Sequence, residues 1–173
     1  MGRRTQEGET LEQYKKRMID PISESYCAAK WYNATIWLGH GQTASCHHPP
    51  GHWIPLEELK DNYTAIHNTK HKKLMRKYMQ EGKRPAECEY CWKVEDMGKN
   101  HVSDRTFKTE IFKDEDVHKS AEMPWDENVM LRTLEISFDR ACNFSCSYCN
   151  PAFSTAWVKD CLLYTSDAAD DLG

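Results

Sequence analysis

The segment "ACNFSCSYCN", residues 141–150, spaces three cysteines as Cys142-x3-Cys146-x2-Cys149. A structural zinc site is completed by four ligands and a disulfide by two sulfurs. Iron in a cubane takes thiolate ligands, four when every iron is held by protein. Three cysteines in a tight loop therefore leave one iron open, and an open position is how a metal site binds a reactant. The stretch before the loop, "LRTLEISFD" at 131–139, alternates, with Leu134, Ile136 and Phe138 on one face and Thr133, Glu135 and Ser137 on the other. That pattern predicts a strand running straight into the cysteines. Ser154 is a candidate cap for a helix to about Leu163. A loop between a strand and a helix is where α/β folds put their sites.

"CNFSCSYC", with the aromatic Tyr148 just before the third cysteine, resembles the cluster-binding loop of the radical S-adenosylmethionine (radical SAM) enzymes. The resemblance covers about residues 130–161. It implies that Cys142, Cys146 and Cys149 hold a 4Fe–4S cluster whose free iron is chelated by S-adenosylmethionine (SAM), with Tyr148 near the adenosine. It further implies reductive cleavage of SAM to methionine and a 5′-deoxyadenosyl radical that abstracts hydrogen from a substrate. The electron would come from a reductant such as flavodoxin or ferredoxin.

Four more cysteines come earlier: Cys27, Cys46 and the pair Cys88-x2-Cys91. Together with Gly41 and a hairpin before a helix, this order is similar to the twitch domain, the shorter relative of the SPASM domain. That resemblance implies a second, auxiliary 4Fe–4S cluster with every iron ligated by protein. In that family the twitch domain follows the barrel, whereas here the similar segment precedes it. Zinc is the competing occupant, since four thiolates suit it equally. His47 and His48 directly follow Cys46 and are expected beside the sulfurs rather than as ligands. Cys161 is expected as an unpaired thiol, Trp31 and Trp37 as cover for the hairpin, and Trp92 and Glu95 as packing and solvent residues.

The remaining organisation follows from local pattern. Residues 1–22 are highly charged, with Leu11, Tyr14 and Met18 at helical spacing, and predict a short helix on an N-terminal arm. Residues 31–46 predict a β-hairpin turning at Gly39-His40-Gly41. Pro55 opens a helix over 55–61, and Asn68 or Thr69 caps another to about Gln80, ended by Gly82. The Lys70, Lys72, Lys73, Arg76 and Lys77 side chains of that helix are expected on its solvated face. Residues 98–128 are polar and charged and predict a linker, with Asp114, Glu115 and Asp116 in solvent. The final residues "LLYTSDAADDLG" change composition abruptly and resemble translated sequencing-adapter sequence, which predicts a gene fragment with a non-native end.

The expected fold is an α+β N-terminal cluster domain, a β-hairpin plus helices, followed by the first strand and helix of a truncated α/β radical SAM partial barrel. The expected layout is an arm over 1–22, a twitch-like domain over 23–97, a linker over 98–129, the barrel start over 130–163 and the tail over 164–173. A lone strand–helix pair cannot bury its own faces and needs further units. At 39% hydrophobic, 29% charged and 11% aromatic residues the chain is polar yet suited to a core. Its net charge of −4 gives no general push toward nucleic acid or membrane, so neither is expected as a partner. No secretory signal or apolar span is seen, so a cytoplasmic location with reduced thiols is expected. The chain is thus expected to be a radical SAM enzyme of unread substrate, inactive as this fragment alone. The alternative is a zinc-stabilised module that binds protein or nucleic acid without catalysis.

Overall fold

The computed structural model describes residues 6–98, 101–142, 144, 146–151 and 154–158. These fall into two compact units, one within Met1–Ile36 and Gly41–Ile136, the other within Trp37–His40 and Ser137–Gly173. The architecture is α+β, with a four-stranded sheet and short helices.

The first unit begins at α1 (Leu11–Tyr14), where the Thr10 side chain accepts from the Gln13 N–H and the Gln13 side chain accepts from the Thr10 N–H. A π-helical turn, Lys15–Ile19, continues it. Tyr14, Met18 and Ile19 are all buried in the main core. The expected arm is therefore part of the core, because Tyr14 and Met18, four residues apart, share one face.

Next comes a segment that water does not reach: every residue from Ser25 to Tyr32 is buried. Its end forms α2 (Ala29–Tyr32), and only at Asn33 does the chain extend into β1 (Asn33–Trp37). The expected strand starts later than its apolar pattern suggests. A helical turn lets Trp31 and Tyr32 both enter the core, whereas a strand would send them to opposite faces. The Trp31 ring packs tilted at 5.2 Å from that of Tyr26, and the Tyr32 ring tilted at 5.5 Å from that of Phe112. Leu38–His40 makes a 3-10 turn, and Gly41 takes φ 63°, a left-handed value that favours glycine. β2 (Gln42–Ala44) follows and pairs antiparallel with β3 (His52–Trp53), Gln42 opposite Trp53 and Thr43 opposite His52.

Pro55 precedes α3 (Leu56–Asp61), and Thr69 caps α4 (Lys70–Gln80) by accepting from the Lys72 N–H. α5 (Glu89–Asp96) grows out of a 3-10 turn at Ala86–Cys88. The expected linker over 98–129 is instead largely helical, with α6 (Asp104–Glu110) and α7 (Asp114–Glu122). Its inward positions are mostly polar: Ser103, Arg105, Thr106, Thr109, Glu110 and Ser120 are buried, beside the apolar Phe112 and Val117. Such a face leaves no apolar periodicity in the sequence. Asp114, Glu115 and Asp116 form the first turn of α7, where carboxylates suit the helix dipole. Asp116 also pairs with Arg132 at 3.0 Å.

β4 (Thr133–Ser137) completes the sheet at its edge, in the order β3-β2-β1-β4. Thr133 donates to the Asn33 side chain at 2.6 Å and Thr35 to Glu135 at 3.2 Å, so polar pairs fasten the edge. Leu134, on the expected apolar face, is 52% exposed.

The basic face of α4 is not uniformly solvated. Lys72, Met75, Arg76 and Met79, at i, i+3, i+4 and i+7, are its buried side. Lys72 Nζ donates to the Thr43 hydroxyl at 2.8 Å and the Ala44 carbonyl at 3.0 Å. Burial, reinforced by the charges of Arg76 and Lys30, pushes its pKa down to about 7 from 10.5. Between those values the unfolded chain holds a proton that the folded chain has released, so Lys72 makes stability rise with pH across that window. Lys72→Met removes this contribution. In urea titrations the variant's stability relative to wild type should fall by about 2 kcal/mol between about pH 7 and about pH 9. An unchanged difference would show that the ammonium is not buried as described.

Candidate metal centre

Cys27, Cys46, Cys88 and Cys91 line one cavity of about 20 Å3 in the first unit. Cys27 belongs to the buried segment ahead of α2, and Cys46 lies on the bend after β2. Cys88 ends a 3-10 turn and Cys91 lies in the first turn of α5, so their three-residue spacing puts both on one side. All four are free cysteines.

Each sulfur has a hydrogen-bond donor. The backbone N–H of Ala29 serves Cys27 and that of His48 serves Cys46. The Lys30 ammonium serves Cys88 and the Arg105 N–H serves Cys91, while the Ser103 hydroxyl donates to Glu95 at 2.6 Å. Donors aimed at sulfur favour thiolate, the form that binds metal. In the metal-free thiol state burial dominates and raises all four pKa values, that of Cys88 to about 11.

Cationic groups line the same cavity: Lys30, Arg105 and Lys108. Lys30 is buried and ion-paired with Glu87. Burial opposes its charge, but Cys88 and Glu87 outweigh that and raise its pKa. Glu87 also accepts from His71 at 2.5 Å; burial acts against its charge, but His71 and Lys30 hold its carboxyl at about 2. Arg105 is fixed by Glu95 through bonds of 2.6 and 2.8 Å. Glu95 is thus a half-buried ion-pair partner rather than a solvent residue. Trp92 is packing, its indole N–H bonded to the Pro85 carbonyl at 2.8 Å.

The donor set, the N–H···S bonds and the surrounding cations fit a thiolate-held metal group, which carries net negative charge. Two measures bear on its size. Among the described residues, the triplet of ligand atoms lying within 4.8 Å of one another is His47, His48 and Asp104, which includes no cysteine. A zinc tetrahedron with Zn–S of about 2.3 Å sets its sulfurs about 3.8 Å apart, so no three of these sulfurs already stand at that spacing. The cavity itself has room for about one water-sized body, as a single ion requires.

The three later cysteines belong to the second unit. Cys142 is exposed, while Cys146 and Cys149 are half-buried. The Phe144 N–H donates to Cys142 Sγ at 3.4 Å, and the Cys149 N–H to the Cys146 carbonyl at 2.9 Å. A helical turn at 155–158 anchors the loop: Thr155 accepts from the Cys142 N–H at 3.2 Å, and the Trp157 indole donates to the Cys146 carbonyl at 3.1 Å. Ser154 is buried, and its hydroxyl donates to the Phe144 carbonyl at 3.4 Å. Tyr148 is 90% exposed, and its phenol pKa is raised by hydrogen bonding to Cys146 and by the charge there. Cys161, the helix beyond 158 and the expected tail lie outside the described residues.

His47 and His48 lie beside Cys46, with His48 Nε2 3.1 Å from Asp104. Burial, then the neighbouring His47, lowers the His48 pKa despite that carboxylate. Lys30, Ser103, Asp104, Arg105 and Lys108 are site residues that sequence reasoning did not single out. Four of them fall in the stretch read as a linker, and the lysine sits in an apolar run.

Compared with family models, curated proteins and solved structures, the chain gives no match. Among the described residues no helix is long and apolar enough to cross a membrane.

The two cysteine groups should differ sharply toward an alkylating reagent in the metal-free protein. A thiol at about 11 carries roughly 100-fold less thiolate near neutral pH than one at the ordinary value of 9.0. Iodoacetamide mapping by peptide mass spectrometry should therefore find the buried Cys88 modified much more slowly than the exposed Cys142. Equal rates would mean that the four-cysteine cavity is open.

Proposed function

We propose that the chain is part of a radical SAM enzyme, with Cys142, Cys146 and Cys149 as the ligands of its SAM-binding 4Fe–4S cluster. The observation that carries this reading is the Cys142-x3-Cys146-x2-Cys149 loop directly after β4, with Cys142 exposed and its partners only half-buried. When bound, such a cluster with one iron free of protein ligands supplies the electron that cleaves SAM to methionine and a 5′-deoxyadenosyl radical.

The residues present serve that chemistry by holding and orienting. Thr155 and Trp157 bond the backbone at Cys142 and Cys146 and fix the loop between strand and helical turn. The Phe144 N–H donates to Cys142 Sγ at 3.4 Å and orients the side chain. Tyr148 presents an open aromatic face beside the cysteines, suited to packing against an adenine. The substrate remains unassigned; the electron donor would be a flavodoxin or ferredoxin.

In the same reading Cys27, Cys46, Cys88 and Cys91 hold an auxiliary 4Fe–4S cluster. The lining cations Lys30, Arg105 and Lys108 support it. A second reading has zinc there, in a module that binds a macromolecule without catalysis, and the small cavity favours it.

Anaerobic reconstitution with iron and sulfide separates the two. The first reading expects brown protein absorbing near about 400 nm with about eight irons per chain. Cys142→Ala should then lower the iron to about four and abolish SAM binding, while the auxiliary signal persists. Stoichiometric zinc without iron uptake would overturn the cluster assignment at both sites.

A further inference from the structure

The geometry points to a separate metal site formed by His47, His48 and Asp104, taking a zinc-like divalent ion with one coordination position open. The three ligand atoms all lie within 4.8 Å of one another. They come from the bend after β2 and from the first residue of α6, elements joined across the four-cysteine cavity, whose wall includes Asp104. The irregular backbone over 45–49 lets two adjacent histidines face one point, which neither a helix nor a strand allows.

The decisive detail is the carboxylate. Asp104 Oδ2 is shielded from water and has no hydrogen-bond partner. Nevertheless it lies 3.1 Å from His48 Nε2. The two atoms are at ion-pair distance without N–H···O alignment. A buried carboxylate oxygen left this way is costly. Two ligands of one tetrahedral zinc, at about 2.0–2.1 Å from the ion, stand about 3.3 Å apart. The observed 3.1 Å is close to that spacing, so both atoms can face one shared ion.

Supporting groups hold the arrangement. His48 stacks on Tyr90 with ring centroids 3.9 Å apart and planes 15° apart, which fixes the imidazole plane. The His47 ring lies 4.1 Å from that of His48 and is exposed, so an ion can enter from solvent. Two imidazoles and one carboxylate form a donor set suited to zinc. Three protein ligands leave the fourth place for water or a ligand that approaches from solvent. The site is distinct in chemistry from the neighbouring sulfurs and does not depend on whether they hold iron or zinc.

The test uses the full chain, with its cysteine sites loaded anaerobically and excess metal removed, then titrated with Zn2+. The calorimetric titration and metal analysis should find one further zinc per chain beyond the sulfur-bound metal. His47→Ala and Asp104→Asn should each weaken it by more than about 100-fold, beyond the 10- to 100-fold typical of losing an outer partner. Iron, sulfide or cysteine-held zinc should not change in these variants. Cobalt in place of the added zinc should give ligand-field bands without thiolate charge transfer. The absence of a further equivalent, its survival in both variants, or thiolate charge transfer from the added cobalt would overturn the proposal. His47 is exposed, so His47→Ala keeps the test valid if Asp104→Asn fails to fold. Failure of iron uptake at the cysteines is a separate readout and bears only on the enzyme reading.

Discussion

The first unit depends on how the buried backbone of Ser25–Tyr32 is hydrogen-bonded. A segment wholly out of water must satisfy its N–H and C=O groups internally, at a cost of about 1–3 kcal/mol for each one left unpaired. Short helix turns satisfy part of this requirement, and long polar side chains supply the rest. Arg76 Nε donates to the Lys30 carbonyl at 2.9 Å, and Arg105 Nη1 to the Tyr26 carbonyl at 2.7 Å. The Ala28 N–H donates to the Thr109 hydroxyl at 3.2 Å. Hydroxyls on the segment reach outward in turn, Ser25 to the Met79 carbonyl and Tyr32 to the Asp116 carbonyl. α4, α6 and α7 are thereby docked by polar bonds as much as by apolar contact.

That solution has an electrostatic consequence. Cations drawn inward to bind carbonyls cannot be left without compensation. Arg76 keeps its charge through acceptors, from the Asn68 side chain at 3.0 Å and the Glu127 carbonyl at 3.2 Å, although burial lowers its pKa to about 10. Arg105 has Glu95, and Lys30 has Glu87. The segment also carries Cys27, and its partner elements carry Cys88 and Cys91. Four thiols thus sit among paired cations, which offset part of the charge that metal binding would bring to the sulfurs. The packing of the segment and the chemistry of the cavity are two aspects of one arrangement.

Legibility in the sequence followed the kind of residue that faces inward. α3 and α4 could be read from Pro55, Thr69 and Gly82 because caps and breakers act locally, whatever surrounds them. The gathering of Cys27, Cys46, Cys88 and Cys91 could be read because cysteines grouped in a reduced chain have few other reasons to converge. The orientation of α4 could not be, since Lys72 and Arg76 look like solvent residues until a buried backbone demands donors. α6 and α7 were hidden for the same reason: Thr106, Thr109 and Ser120 carry no apolar period. Asp104 and Ser103 were accordingly missed as neighbours of the cysteines. At 29–32 the local strand propensity of Trp31 and Tyr32 lost to the burial that a helical turn provides.

The two cysteine groups share a local device and differ in setting. An N–H two residues on serves the sulfur of Cys27, of Cys46 and of Cys142. This bond needs only a tight turn after the cysteine, so it can be built on a buried segment, a bend or an exposed loop alike. At Cys27 and Cys46 it works against the rise in pKa that burial imposes. What surrounds the sulfur then decides its use. At Cys27, Cys88 and Cys91, burial raises the cost of an uncompensated charge and encloses whatever is bound. At Cys142 and Tyr148 the surroundings are open, so a bound metal there can meet a molecule arriving from solvent. A closed group suits storage or relay of electrons, and an open one suits contact with a reactant. The division of labour in the enzyme reading thus rests on burial, with the same sulfur chemistry beneath both sites.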